Sequence, residues 1–162
     1  MHLCSGTETV LALERRKDSR VADLAVVTIA NLFNVIMVVL FLLRTLMVER
    51  LQVVGFIWAG FVVVLAAVVI LNVRADREWW AIILPSLLAV FLVVELVLDY
   101  VVECDFRSTI LLGPYLLVYY VSIMGMIGYS FSTEKRYGFL TLATYFLSQF
   151  AALYSYFVVG HG

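Results

Sequence analysis

Apolar residues form five long, nearly uninterrupted runs that are separated by short polar segments. The runs cover residues 22–43, 53–71, 81–102, 110–131 and 139–159. An α-helix of roughly 20 apolar residues crosses a hydrocarbon core about 30 Å thick, and each run is close to that length. Barrel strands would instead alternate over about ten residues. The pattern predicts an all-α integral membrane protein, a five-transmembrane-helix antiparallel bundle with short loops.

The first 21 residues are more polar than the rest of the chain. Ser5 and Glu8 have the S-x-x-E spacing of a capping box, which predicts a short N-terminal cytoplasmic helix over residues 6–20. This helix is either separate from the first run or continuous with it. We therefore divide the chain into an amphipathic segment, 1–21, and a helical bundle, 22–162. Cationic residues lie just before the first run. We interpret them as ordinary topogenic charges, which set the orientation in the membrane, and not as a specific binding site for anionic lipids. They are Arg15, Arg16, Lys17 and Arg20.

The composition agrees with a membrane protein. Apolar residues make up 64% of the chain and charged residues 14%, whereas soluble domains are nearer half and a quarter. The mean hydropathy is +1.04. A net charge of −1 provides no field that would attract nucleic acid. The expected partners are the lipid bilayer and either a second copy of the chain or a larger membrane complex, with no nucleic acid.

Lysines and arginines are distributed unequally between the two sets of span ends, which predicts an orientation. One side holds Arg44, Arg50 and Arg107. The other side holds the remaining eight of the 11 cations, which are Arg15, Arg16, Lys17, Arg20, Arg74, Arg77, Lys135 and Arg136. The more basic side is expected to be cytoplasmic. The N-terminus is therefore predicted inside and the C-terminus outside, in a plasma or inner membrane.

Carboxylates in the third run are the first candidates for function. Glu95, Asp99 and Glu103 are spaced i, i+4 and i+8, which places them on one face of an α-helix. An acid at the centre of a span costs about 2.5–3.5 kcal/mol, so Glu95 should face the bundle or an aqueous cavity. Glu95 and Asp99 predict an outward-facing acidic site. The structural alternative is that they pair with Arg44 or Arg107, or accept hydrogen bonds from tyrosines.

Polar residues in the other runs extend this candidate site for a ligand or ion. The first run contributes two amides, the fourth two phenols, and the fifth one of each. They are Asn31, Asn34, Tyr115, Tyr119, Tyr145 and Gln149. The alternative for each residue is an ordinary interhelical hydrogen bond, which contributes about 0.6 kcal/mol.

The sequence contains none of the short motifs that specify a reaction. A phosphate-binding glycine loop, a nucleophile elbow and a C-x-x-C pair are all missing, so we nominate no catalytic residue and no cofactor. His161 is near Glu103 and Asp105 in a predicted outer region, but terminal disorder is the better interpretation, and no metal site is predicted.

Three functions remain open on this basis. The preferred one is a small polytopic membrane protein whose polar, acidic outer half binds or transports a small ligand or cation. The second is a non-catalytic subunit or homo-oligomeric component of a membrane complex. The third is an intramembrane enzyme that acts on a lipid, which the missing motifs disfavour.

Overall fold

Five α-helices make up most of the structure. A computed structural model describes residues 4–43, 51–102 and 109–159, and describes side chains at 19–43, 56–98, 101–102 and 109–158. Within these ranges there are five α-helices and no β-strand. The helices are α1 (Cys4–Leu43), α2 (Leu51–Arg74), α3 (Trp79–Leu96), α4 (Leu112–Thr133) and α5 (Lys135–Val159). The all-α prediction is confirmed for the described residues.

The first helix is longer than a single span. It has 40 residues and continues without a break from Cys4 to Leu43. The helix predicted before the first run is therefore part of α1 and not a separate element. The division between residues 21 and 22 stays a prediction about where the membrane begins, since the secondary structure does not change there.

Four stretches of the described residues are long and apolar enough to cross a membrane. They are Ser19–Leu43, Phe56–Arg74, Trp79–Leu96 and Leu112–Thr133. They correspond to the first four predicted runs, and the third ends earlier than the predicted residue 102. The fifth helix is long enough, with 25 residues, but polar side chains such as Thr141, Tyr145 and Gln149 make it less apolar. Apolar helices of this length suggest a membrane location.

Three small hydroxyl residues of α5 are buried against the other helices, and its large apolar residues face outward. Thr141, Ser148 and Ser155 are buried. The exposed apolar side chains include Phe146, Leu147, Phe150, Leu153 and Phe157. A surface helix of a water-soluble protein has the opposite arrangement, with its apolar stripe facing the core.

Each helix packs against the next, α5 returns to α1, and α1 also contacts α4. Contacts between side chains show the helix directions. Phe33 of α1 contacts Tyr119 of α4, and the earlier Asp23 contacts the later Tyr129, so these helices are antiparallel. Hydrogen bonds from Asn31 and Asn34 to α5 advance in the same direction along both helices, so α1 and α5 are parallel.

An aromatic cluster lies at the centre of the bundle. The ring of Phe33 lies 5.1 Å from Trp58, 6.2 Å from Phe91 and 6.4 Å from Tyr119, measured between centroids. All four side chains are buried. Because they come from α1, α2, α3 and α4, this cluster holds four helices at one level. Aromatic pairs at these separations stabilise a core by about 0.5–1.5 kcal/mol each beyond burial.

A π-helical segment, Val97–Val101, continues α3 immediately after Glu95 and Leu96. Its wider turn is seen in the bond from the Val102 amide to the Val97 carbonyl oxygen, at 2.9 Å. The expected face of carboxylates, spaced i, i+4 and i+8, assumes a regular α-helix, and that spacing does not hold across this segment. Single π-helical turns within α-helices occur frequently at functional sites.

Candidate functional site

Glu95 is hydrogen-bonded to a tyrosine of the neighbouring helix. The Tyr115 hydroxyl of α4 donates to Glu95 Oε2 of α3, and both side chains are half-buried. The ring of Tyr115 lies 5.5 Å from that of Phe91, one turn before Glu95. A hydrogen bond to a charged group contributes about 1.5–3 kcal/mol, more than a neutral pair. The sequence leaves two structural alternatives for Glu95, an ion pair with an arginine or a hydrogen bond from a tyrosine. The described residues show the hydrogen bond from a tyrosine.

A second pair lies one turn along α4. The Gln149 amide of α5 donates to the Tyr119 hydroxyl at 3.4 Å, and Tyr120 donates to Gln149 Oε1 at 3.5 Å. Tyr119 is buried in the aromatic cluster. Tyr145 is half-buried and packs against the core. We call Glu95, Tyr115, Tyr119 and Gln149 the outer group.

The two predicted asparagines lie in a different group, between α1 and α5. Asn31 Nδ2 donates to Thr141 Oγ1 at 3.0 Å, and Thr144 Oγ1 donates to Asn31 Oδ1 at 3.0 Å. Asn34 Nδ2 donates to Thr144 Oγ1 at 3.1 Å. Thr141 Oγ1 lies 3.0 Å from Ser130 Oγ of α4. We call these five residues the middle group.

Asn34 has an acceptor without a partner. Its side chain is 1% exposed, and Oδ1 accepts no hydrogen bond from the protein. Asn72 Oδ1 is in the same situation, although the amide nitrogen of Asn72 donates to the Ala81 carbonyl oxygen at 2.7 Å. Buried polar atoms in proteins are almost always hydrogen-bonded, so such an atom marks a place where a water molecule or a ligand belongs.

A third group was not predicted from the sequence. Arg77 Nη1, after α2, lies 2.6 Å from Asp23 Oδ1 of α1, and the Tyr129 hydroxyl of α4 donates to the same oxygen at 2.7 Å. Arg77 also donates to the Ser19 carbonyl oxygen at 3.4 Å. The side chains of Arg77 and Asp23 are 18% and 14% exposed. We call Asp23, Arg77 and Tyr129 the inner group, and its end of the bundle the inner end.

One signal in the sequence points to the inner group. Asp23 falls within the first apolar run, where a charged residue is expensive and needs a partner. Arg77 was assigned to the topogenic charges at the same end, and its distance of 54 residues from Asp23 gives no indication of contact. Tyr129 has no distinguishing neighbour in the sequence.

The predicted residues therefore occupy two places and not one. Glu95, Tyr115, Tyr119 and Gln149 belong to the outer group, while Asn31 and Asn34 belong to the middle group with threonines of α5. Asp99 lies in the π-helical segment, and its side chain is outside the described residues. Arg44 and Arg107 also lie outside them, so an ion pair with Glu95 stays a prediction.

Among the described residues, no group of three or more histidine, cysteine, aspartate or glutamate side chains is arranged to hold a metal ion. No family model, no curated protein and no solved structure matches the chain.

Proposed function

We propose that the chain crosses a membrane five times and that α5 is the fifth span. The first argument is position, because α5 packs along α1 and α4, two helices that are apolar enough to span. The second is the direction of its side chains. Thr141, Ser148 and Ser155 of α5 are buried while Phe146, Phe150 and Phe157 are exposed, which is favourable in lipid and costly in water.

The charge distribution at the inner end supports the predicted orientation. Arg20, Arg74, Lys135 and Arg136 are exposed. Arg74 ends α2, Lys135 and Arg136 begin α5, and Arg20 lies within α1, one turn before Asp23. Trp79 is exposed beside them, as expected of an aromatic residue at the boundary between lipid and water. A basic rim of this kind favours the cytoplasmic side, with the N-terminus inside and the C-terminus outside.

We infer that the outer group binds a small cation, either a metal ion of low charge, a proton or an amine. The hydrogen bond between Glu95 and Tyr115 carries this proposal. Glu95 supplies an anionic oxygen, and ionisable residues within spans commonly mark the site or path of an ion. The phenol of Tyr115 holds that oxygen in place, and the nearby rings of Phe91 and Tyr119 present faces that attract cations.

The arrangement gives a simple binding step. A cation that approaches Glu95 replaces the Tyr115 hydroxyl as the partner of the carboxylate, and the hydroxyl oxygen can then turn to act as an additional ligand. Tyr119 and Gln149 contribute further neutral oxygens one turn deeper. The π-helical segment after Glu95 interrupts the regular helix at this level, which allows the end of α3 to adjust its position around the ion.

The test is ligand-dependent stability of the purified protein in detergent. Sodium, potassium and tetramethylammonium chloride are added in turn at constant ionic strength, and proton binding is followed as stability against pH. A bound ion raises stability by about 2.7 kcal/mol at 100 times its dissociation constant. Glu95→Gln should remove the response, and Glu134→Gln, at an exposed carboxylate, should keep it.

An unchanged response in Glu95→Gln would exclude the outer group as the site. If the parent protein responds to none of the probes, the cation-binding proposal is wrong. The function as a non-catalytic subunit of a membrane complex is then favoured. Mass measurement after extraction in mild detergent then distinguishes a monomer from a larger assembly.

A further inference from the structure

Polar side chains connect the inner group to the outer group through the interior of the bundle. The residues between the two groups are Ser130, Thr141, Asn31, Thr144, Asn34 and Ser148, which we call the polar path. They lie where α1, α4 and α5 meet. A polar group in the interior of a membrane bundle is rare and needs a partner, so a series of them that extends from one carboxylate towards another requires an explanation.

The path begins at Asp23. Its carboxylate accepts from Tyr129. Ser130 is the next residue of α4, but adjacent residues of a helix do not face each other, so a water molecule must connect the Tyr129 and Ser130 hydroxyls. Ser130 Oγ lies 3.0 Å from Thr141 Oγ1 and 2.9 Å from the Met126 carbonyl oxygen. Both hydroxyls are buried.

In the middle of the path, Asn31 joins the hydroxyls of Thr141 and Thr144 by hydrogen bonds. Thr141 Oγ1 accepts from Asn31 at 3.0 Å, and Thr144 Oγ1 lies 3.0 Å from Asn31 Oδ1 and 3.0 Å from the Thr141 carbonyl oxygen. Thr141 Oγ1 likewise lies 2.9 Å from the Tyr137 carbonyl oxygen. Each threonine has one hydroxyl proton and two acceptors within reach, so it can turn from one acceptor to the other.

The outer part of the path has a gap after Thr144, and a second gap separates Tyr119 from Tyr115. Ser148 is fully buried one turn beyond Thr144, a separation of about 5–6 Å between Cβ atoms, which a single water molecule bridges. The unpartnered Oδ1 of Asn34 belongs to the same level of α1, since Asn34 donates to Thr144. A water molecule there would supply the missing donor for Asn34.

Beyond Ser148 the path continues into the outer group and ends at Glu95. Gln149 follows Ser148 and donates to Tyr119. Tyr115 lies one turn before Tyr119 in α4, on the side of the outer end, and donates to Glu95. The sequence of groups therefore has a carboxylate at each end and hydroxyls or amides at every turn between them.

We propose that the polar path carries protons between Asp23 at the inner end and Glu95 in the outer half. This inference rests on the proposed cation site at Glu95, and it names the cation as a proton. Carboxylates and chains of polar groups in spans are the elements of proton relays. Arg77 forms an ion pair with Asp23, and Tyr115 is the described donor that faces Glu95.

The transfer is balanced at each step. A hydroxyl or bridging water accepts a proton on a lone pair and releases its own proton to the next oxygen, so one O–H bond forms as another breaks. One proton enters at one carboxylate and one leaves at the other, and nothing is oxidised or reduced. The side-chain amides of Asn31 and Asn34 do not carry the proton; they orient the threonine hydroxyls, and a water molecule carries the proton wherever two hydroxyls of the path are not hydrogen-bonded to each other, as between Thr141 and Thr144.

The test is proton flux into liposomes that contain the purified protein and a pH-sensitive dye. A potassium gradient with valinomycin supplies the driving potential. Ser130→Ala and Thr141→Val each remove one hydroxyl from the path. The loss of one step of about 1.4 kcal/mol corresponds to a roughly tenfold slower flux. Glu95→Gln should reduce the flux at least as much.

Ser122→Ala is the matched control. Ser122 and Ser130 are both fully buried serines of α4, but Ser122 donates to the Leu87 carbonyl oxygen of α3 at 3.1 Å, outside the path. Ser122→Ala should keep the parent flux. Thermal unfolding of every variant, measured in the same detergent, identifies variants that fail to fold, and those are replaced by Thr144→Val, which removes another hydroxyl of the path. Thr141→Ser retains the hydroxyl and should retain the flux.

The proposal is overturned if the parent protein conducts protons no faster than protein-free liposomes. It is also overturned if Ser130→Ala and Thr141→Val keep the parent flux, or if Ser122→Ala loses as much as they do. The cation site is judged separately by stability. If only the path is wrong, Glu95→Gln still removes the response to a bound cation while Thr141→Val retains it.

Discussion

The ion pair between Asp23 and Arg77 gives the sharpest prediction for stability. We consider Arg77→Gln, which removes the cation and leaves the carboxylate of Asp23 in place. The Arg77 and Asp23 side chains are 18% and 14% exposed, with 2.6 Å between their charged atoms. Breaking a fully buried pair on one side costs about 3–5 kcal/mol, mainly because the remaining charge loses its partner, and the pair of Asp23 and Arg77 is only partly buried.

The lower end of that range applies here. Tyr129 still donates to Asp23 after the substitution, and a hydrogen bond to a charged group offsets part of the loss. We therefore expect the free energy of unfolding to fall by about 3 kcal/mol. The double variant Asp23→Asn with Arg77→Gln should be more stable than Arg77→Gln alone, because no unpaired charge stays buried.

The assay is unfolding in mixed micelles of increasing sodium dodecyl sulfate, followed by the fluorescence of tryptophan. Trp58 is buried among aromatic rings and reports the loss of packing. Glu134 and Arg136 provide a matched control at the same end of the bundle, since their charged atoms are 3.8 Å apart and their side chains are 48% and 91% exposed.

Glu134→Gln should change the free energy of unfolding by less than about 1 kcal/mol, as is usual for exposed pairs. The reasoning is wrong if Arg77→Gln and Glu134→Gln have the same effect. It is also wrong if the double variant is as unstable as Arg77→Gln, because the cost would then arise from the shape of the arginine side chain and not from an unpaired charge.

Three further predictions test packing and orientation. Gly138→Ala should lower the free energy of unfolding by about 1–3 kcal/mol, because the added methyl group overlaps a neighbouring phenyl ring. Gly128→Ala should raise the free energy of unfolding slightly, because its methyl group meets nothing within 4 Å. Equal effects of the two substitutions would contradict this prediction. Ser148→Leu should cost about 1–3 kcal/mol by overfilling a fully buried position on α5, and a neutral result would place that face in lipid. Orientation is tested with single cysteines in a cysteine-free variant of the protein, in intact cells. A membrane-impermeant thiol reagent should label Ile110→Cys, at an exposed position, and should label Arg136→Cys only after permeabilisation. The reverse pattern would show that the predicted orientation is wrong.

Much of the fold follows from the distribution of apolar residues. Runs of about 20 such residues form helices wherever they occur, since the backbone must satisfy its own hydrogen bonds in an apolar environment. The runs therefore locate four candidate spans and a fifth helix. The end of α3 is different, because nothing in Val97–Val101 distinguishes a π-helical turn from an α-helical one by composition.

The candidate site is only partly readable from the sequence. A carboxylate in an apolar run, such as Glu95, can be recognised in the sequence because placing it in a membrane span costs a large free energy. Its partner Tyr115 is one of the three tyrosines in the predicted site, and nothing in the sequence indicates that it, and not Tyr119 or Tyr145, binds Glu95. The pairing of Asp23 with Arg77 depends on how the α2–α3 turn is placed against α1, and that placement is a property of packing. Thr141 and Thr144 join Asn31 and Asn34 for the same reason.

The side-chain arrangement of α5 bears on how the chain is assembled during synthesis. A helix that carries Thr141, Ser148 and Gln149 gains little from entering lipid alone, because each polar group costs free energy there. The cost is offset once α1 and α4 offer partners, as Asn31 and Ser130 do for Thr141. The fifth helix should therefore enter the membrane after the others have formed their surface, and a chain without α1 should leave it at the translocon or in water.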